Sequence, residues 1–297
     1  MRVLVTGANG YVGRAVVAAL RGRGHEPIPM VRAPGRVGAS GPARVADLHD
    51  PRSLREAIRD VDAVCHLAGR TRARESLTDP LGYFRTNTSG TLALLDAMNS
   101  AAVRRIVFAS TGSVYGTPDR QPMTEDLPPA PPHPYAASKL AAELALESFP
   151  AITLRMLNIT GGSDPDPTRL LPRALAAAAC GTPLTVNGDG SAVRDYLHLA
   201  DAADAFAAAV DHLPAVSQAV TYNVGSGVGS SVKDVVAAVE RVSGRPVPLE
   251  YRPAASEPAV SISDPSRAIA DLGWSPRHSE LEEIVRDAWS TQVRTLR

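Results

Sequence analysis

Tyr135 stands at the head of a stretch, Ala136 to Ser148, whose composition predicts a helix, and Lys139 follows four residues later, so both side chains share one helical face. A free phenol titrates near ~10 and is a poor base at neutral pH. An adjacent ammonium, together with a cationic nicotinamide ring, favours the phenolate and predicts a lowered pKa. A base whose pKa approaches the working pH is the better proton carrier. Ser110 and Thr111 close an apolar run, Ile106 to Ala109, that predicts a strand. A hydroxyl at that strand end could stand between Tyr135 and a substrate alcohol. The combination points to removal of a proton from a carbinol while its hydride leaves to nicotinamide.

Such a pair needs a dinucleotide held in register, and the first residues predict how. Val3-Leu4-Val5 has the length and composition of a buried parallel strand. Gly7, Gly10 and Gly13 follow at three-residue spacing, and Val12, Ala15, Val16, Ala19 and Leu20 then recur at helical spacing up to Gly24. Strand, glycine turn and helix in this order form a pyrophosphate cradle, with the helix N-terminus supplying N–H groups and a positive dipole end.

Further strands are expected at Glu26 to Val31, Arg44 to Asp47, Asp62 to Ala68 and Ile152 to Leu157, alternating with helices that start at Asp50-Pro51 and at Asp79-Pro80, the latter reaching Ser100. This rhythm predicts a Rossmann-type α/β fold, a doubly wound parallel sheet whose ligands bind at the C-terminal strand ends. Gly7, Asp47, Ala68 and Thr111 should then face one crevice. Pro27 and Pro29 remove two N–H groups on the same side of the second strand, so its pairing should be poor on that side only. Six prolines between Gln121 and Pro134 exclude helix and central strand there and predict an ordered loop leading to Tyr135. After Asn158 the glycines and Asp-Pro alternations mark a boundary, giving a dinucleotide-binding domain over 1–160 and a smaller, mixed substrate lobe over 161–297, partly interleaved with the first. Within that lobe Ser230-Ser231 and Asp264-Pro265 should cap helices. His66 reads as a hydrogen-bonded core residue, since no second ligand stands at metal-binding spacing.

Lys plus Arg equals Asp plus Glu at 31 each, which argues against nucleic acid or a membrane surface as partner. No apolar run in the 297 residues is long enough to span a bilayer, and the chain begins directly with its first strand, which predicts no signal peptide. Two cysteines far apart, Cys65 and Cys180, fit a reducing cytoplasm.

TGANGYVG, DLHD, HLAG, the Asn87 region, ASTGSVYG, YAASK, LRMLNITG and VRDYLHLADAADA together resemble the extended short-chain dehydrogenase/reductase family, over nearly the whole length. Within it the chain is most similar to the nucleotide-sugar 4-epimerases that interconvert UDP-glucose and UDP-galactose. The resemblance implies that Gly7, Gly10 and Gly13, with Asn9, Tyr11 and Val12, hold the pyrophosphate of NAD. It implies that Asp47 and Leu48 contact adenine, that Asn87, Tyr135 and Lys139 fix the nicotinamide ribose, and that Leu67, Ala68 and Ser110 complete the cofactor site. Thr111, Tyr135 and Lys139 are the implied catalytic residues. Asn158, Arg194 and Arg252 match positions that bind the substrate diphosphate, and Ser113, Arg169 and Leu170 join Thr111 in the implied substrate site. The implied reaction is a transient hydride transfer from sugar C4 to bound NAD with Tyr135 as base, in a homodimer built on the helices near Pro80–Ser100 and Tyr135–Ser148. Rival readings are an NAD(P)H-dependent 4-ketoreductase and a non-catalytic dinucleotide sensor.

The chain departs from the family pattern in three places. Val31-Arg32 replaces an acid at the end of the second strand, and a basic residue there tolerates the 2′-phosphate of NADP. Gly112-Ser113 stand where the 4,6-dehydratases carry Asp-Glu, which excludes dehydration. Glu257 replaces an Asp after the late arginine.

Overall fold

The computed structural model describes residues 1–33, 43–215, 218–254 and 258–295. The first half runs β1 (Arg2–Thr6), α1 (Tyr11–Gly22), β2 (Glu26–Val31), β3 (Arg44–Val45), α2 (Pro51–Ala57), β4 (Ala63–His66), α3 (Ala73–Ser76), α4 (Pro80–Tyr83), α5 (Gly90–Ser100), β5 (Arg105–Thr111), α6 (Pro134–Ala145) and β6 (Ala151–Met156). The strands pair in the order β3-β2-β1-β4-β5-β6, and a seventh, Ala219–Val224, adds beside β6. Every pairing in this sheet is parallel.

Burial on both faces explains the nearly continuous apolar strands. Val16, Val17 and Leu20 of α1 meet Phe206 and the alanines of the helix Leu199–Asp211 on one face. Leu54 of α2, Leu94 and Met98 of α5, and Ala142 and Leu146 at α6 fill the other. The Ala219–Val224 strand and the helix before it come from the half that the sequence reads as a smaller, mixed lobe. Its Val-Thr-Tyr-Asn-Val run is strand-like, but the alanine-rich helix ahead of it disguises the unit.

The prolines of β2 have a direct geometric answer. The Glu26 amide donates to Met1 across the β1 side at 2.9 Å, so by alternation Pro27 and Pro29 face away from β1. On that side β3 meets β2 only at Met30 and Val31. The expected third strand to Asp47 is accordingly cut to two residues. The expected single helix from Pro80 to Ser100 contains a π-turn over Phe84–Ser89, and α6 starts and ends earlier than its sequence pattern suggested. The proline-rich loop is tied down where the Met123 amide donates to Ile262 at 2.7 Å and the Asp264 amide returns to Met123 at 2.8 Å.

Beyond β6, a second core gathers Leu171 and Leu175 with Val235, Val239, Ile284 and Val285. Ser231 caps the helix Val232–Ser243 with a reciprocal bond to Asp234, and Asp264 accepts from the Ser266 amide ahead of the helix Ser266–Leu272. Among the described residues no helix is long and apolar enough to cross a membrane.

Candidate active site

Between β1 and α1 the chain turns at Gly7, whose φ of +67° favours glycine. A Cβ on Gly7 would stand 2.9 Å from the Ala68 amide nitrogen, and one on Gly13 would stand 2.2 Å from the Gly7 carbonyl. Side chains are therefore excluded at both positions by backbone. Gly10 precedes α1 with no side-chain cap, leaving the first-turn amides open. The turn is a cradle that a phosphate fits and a Cβ would fill.

The cradle opens into a cleft of about 860 Å³ along the C-terminal strand ends. Its wall includes Gly7, Asn9, Gly10, Tyr11, Val12 and Gly13 from the turn, Arg32, Asp47 and Leu48 beyond β2 and β3, and Leu67 and Ala68 after β4. Ser110, Thr111, Ser113, Tyr135 and Lys139 line its middle, and Asn158, Arg169, Leu170 and Arg194 its far side. Among the described residues, Arg32, Arg70, Arg74, Lys139, Arg169, Arg173 and Arg194 line it with one carboxylate, Asp47, although Arg70 is paired with Glu75 and Asp79 and Arg169 with Asp164. Although the whole chain is neutral, this cleft is built for an anionic ligand.

Thr111 and Tyr135 meet at the centre. The threonine hydroxyl, which accepts from the Ser113 amide at 3.1 Å, and the Arg169 charge are both neighbours of the phenol. Both lower the phenol's pKa, but burial outweighs them and holds it above its ordinary value. This corrects the expectation that Lys139 depresses it. The Lys139 ammonium is instead turned to the Ala109 carbonyl at 2.8 Å and sits 4.7 Å above the Phe108 ring. Helical spacing brings the two residues to one face but does not bring Nζ to the phenol oxygen. Burial in turn pushes the Lys139 pKa down to about 8, against the pull of Glu143. The helix carrying both residues begins at Pro134 and is capped by His133, whose Nδ1 accepts from the Ala136 amide at 3.2 Å.

Two residues of the expected site lie off the cleft wall. Asn87 is buried in the π-turn behind it: its Oδ1 accepts from the Arg70 amide at 2.8 Å, and its Nδ2 donates to the Arg70 carbonyl and to Ser138, each at 3.0 Å. Arg252 is largely exposed on the strand Leu249–Arg252, 3.7 Å from Glu250. Glu257 lies outside the described residues. Asn158 donates to the Asp195 carbonyl at 3.0 Å, and Arg194 donates to the carbonyls of Val193 and Pro258, each at 2.8 Å.

Sequence reasoning missed several supports. Ser110 gives its hydroxyl to Glu143, which is held by Arg155 in a pair with both side chains under 10 % exposed. Glu143 lies one turn beyond Lys139, a spacing that could have flagged it. Gly112 has a reason besides chemistry: a Cβ there would stand 2.8 Å from the Leu157 side chain. The Tyr11 hydroxyl donates to the Gly161 carbonyl at 2.5 Å, tying the glycine turn to the chain beyond β6.

A doubly wound parallel sheet, a glycine cradle on its first strand and a Thr-Tyr-Lys centre at the strand ends define a Rossmann-fold enzyme of the short-chain dehydrogenase/reductase class. A model of the NAD dependent epimerase/dehydratase family matches residues 3–225, and the chain belongs to that family. It is 38% identical to a UDP-glucose 4-epimerase of Azospirillum brasilense, over 97% of this chain and 91% of that one. Among solved structures it is similar to a UDP-glucose-4-epimerase from Stenotrophomonas maltophila with bound NAD and formylated UDP-arabinopyranose, with a TM-score of 0.92 and 32% identity, covering 100% and 99% of the two chains. It is also similar to the Bifidobacterium longum UDP-glucose 4-epimerase in complex with NAD+ and UDP, with a TM-score of 0.90 and 28% identity, covering 100% and 99%.

Proposed function

We propose that this protein is a nucleotide-sugar 4-epimerase of the UDP-glucose/UDP-galactose type that uses NAD. The observation that carries the reading is the Thr111–Tyr135 pair at the middle of a cationic cleft, in a chain whose relatives are UDP-glucose 4-epimerases. The glycine turn and the open amides of α1 hold the dinucleotide pyrophosphate, and Lys139 orients the adjoining ribose. When bound, NAD supplies the oxidant that accepts and returns the electron pair at sugar C4.

As the phenolate, which the positive charge of a bound NAD ring would favour against the burial that raises the phenol's pKa, Tyr135 takes the proton of the C4 hydroxyl and gives it back to the epimeric alcohol. Thr111 holds that oxygen beside the phenol. Arg194 and Asn158 hold the nucleotide diphosphate, a task for which a guanidinium fork is suited, while the sugar is held loosely enough to turn over. Gly112 and Ser113 offer no carboxylate to assist loss of water, which supports epimerisation over dehydration. We place the dinucleotide in the part up to about residue 160 and the sugar against the part beyond it, from which Arg169, Arg173 and Arg194 reach the cleft.

Exposed Leu77, Leu81, Phe84, Leu92 and Leu144 lie on the adjoining helical segments α3 to α5 and α6, and this supports a homodimer through that face. Cys65 and Cys180, both free, fit a cytoplasmic location. Arg32 at the tip of β2 favours a second reading, a 4-ketoreductase using NADPH. The deciding test incubates the protein with UDP-galactose and no external cofactor: UDP-glucose should form catalytically. A requirement for stoichiometric NADPH would exclude the epimerase reading.

A further inference from the structure

His66 sits at the C-terminal end of β4 with 1% of its surface exposed, and both ring nitrogens are engaged. Its Nδ1 lies 2.7 Å from the Thr6 hydroxyl and its Nε2 lies 3.0 Å from the Thr91 hydroxyl. The direction of each bond follows from counting donors. Thr6 Oγ1 accepts from the amides of Leu67 and Ala68, at 3.1 and 3.0 Å, which fills both lone pairs. Its one proton therefore goes to His66 Nδ1, Nε2 carries the ring proton, and that proton goes to Thr91. The Thr91 hydroxyl donates onward to the Asn87 carbonyl at 2.6 Å.

Asn87 continues the path in two directions. Its side chain clasps both backbone groups of Arg70, fixing the segment after β4, and donates to Ser138. Ser138 in turn donates to the Tyr135 carbonyl at 2.8 Å. Thr6, His66, Asn87, Thr91 and Ser138 are all at least 99% buried. The Leu67–Gly69 wall that this path braces has no slack. Gly7 packs against Ala68, and a Cβ on Gly69 would stand 2.9 Å from the Asn87 Oδ1 and 3.3 Å from Lys139 Nζ. A fully satisfied polar chain in a dry core has one arrangement of protons and one geometry.

We infer that neutral His66 is a positioning residue: through Thr6 it holds the Leu67–Ala68 wall of the cofactor cleft, and through Thr91 and Asn87 it locks that wall to the helix bearing Tyr135 and Lys139. Burial, with the Lys139 charge nearby, pushes the imidazole pKa down to about 3, in keeping with a ring that stays neutral. A protonated ring would place a hydrogen on Nδ1 facing the Thr6 proton and break the chain at that point.

The role rests on the proposed use of the cleft, so its test includes a binding measurement independent of turnover. Three variants of the full chain are compared with the parent: His66→Leu, which removes both bonds at similar volume; His66→Gln, which offers one acceptor and one donor; and Thr91→Val, which breaks the joint from the other side. Titration with NAD gives a dissociation constant, and conversion of UDP-galactose gives kcat and KM.

His66→Leu and Thr91→Val should each weaken NAD binding and lower kcat on the order of tenfold, with KM for the nucleotide sugar within about twofold. Their combination should be no worse than either alone, as expected for one coupled unit, and His66→Gln should recover most of the loss. The assignment is overturned if folded variants keep NAD affinity and kcat within about twofold of the parent, if the two losses multiply, or if Gln is no better than Leu. Should His66→Leu fail to fold, Thr91→Val against His66→Gln decides alone. A parent protein that binds NAD but does not convert UDP-galactose would sink the epimerase reading and leave the binding comparison intact.

Discussion

The Lys139 ammonium lies 2.8 Å from the Ala109 carbonyl oxygen, so its firmest contact is to the end of β5 rather than to Tyr135 one turn before it on α6. Lys139 is a buried cation whose pKa is pushed down to about 8 from an ordinary 10.5. The folded state therefore binds fewer protons at this site than the unfolded state between those two values, and stability rises with pH across that window. Below pH 8 the full cost of burying the charge is present. Lys139→Met removes it. The variant's unfolding free energy relative to the parent should be most favourable near pH 7 and lose that advantage steadily from pH 8 to 10.5. Urea titrations of both proteins across this range measure the difference; a pH-independent gap refutes the assignment.

Tyr135 is the proton carrier in the proposed reaction, and its hydroxyl is the only part of the ring that Phe lacks. Tyr135→Phe should leave the fold and NAD binding near parental levels while reducing kcat by about 10²–10⁴-fold. Thr111→Val should act in the same direction but more weakly, because the phenol remains. The readout is UDP-glucose formed from UDP-galactose under saturating substrate. Parental turnover by Tyr135→Phe would remove the phenol from the chemistry.

Much of this site is legible in the sequence, because glycine spacing, a strand-end threonine and an i, i+4 Tyr/Lys pair are local patterns. What lies behind them is not. His66 and Thr91 are twenty-five residues apart, and Tyr115 bonds to Asn223 across 108. No periodicity reports such contacts. The strand Ala219–Val224 was missed for a related reason: its partner, β6, is 68 residues away, Ala219 standing against Ala151, and what declares it central is tertiary pairing. The direction of the Tyr135 pKa shift was also beyond reach, since desolvation depends on packing rather than on which cation is nearby in sequence.

The Glu143–Arg155 pair offers a stability prediction. Arg155 donates to Glu143 at 2.6 Å and stacks 4.8 Å over the Tyr115 ring, with Ser110 as a further donor to the carboxylate. Glu143→Gln leaves the guanidinium buried and uncompensated and should cost about 3–5 kcal/mol. Glu143→Leu combined with Arg155→Met removes both charges and should recover most of that loss. Urea midpoints of the single and double variants decide it: equal losses would show that the pair is not coupled.

Assembly yields the last prediction. Leu77 and Leu81 are each 64% exposed and Leu144 on α6 is 60% exposed, an unusual cost to carry on adjoining helical segments if water covers them. A second copy of the chain meeting the same face would cover both sets by symmetry. Leu81→Glu with Leu144→Glu places two charges per copy in that contact. The parent should sediment as a dimer and the double variant as a monomer, with NAD still bound because the cleft lies at the strand ends. If the parent sediments as a monomer at micromolar concentration, these leucines are solvated and the dimer proposal fails.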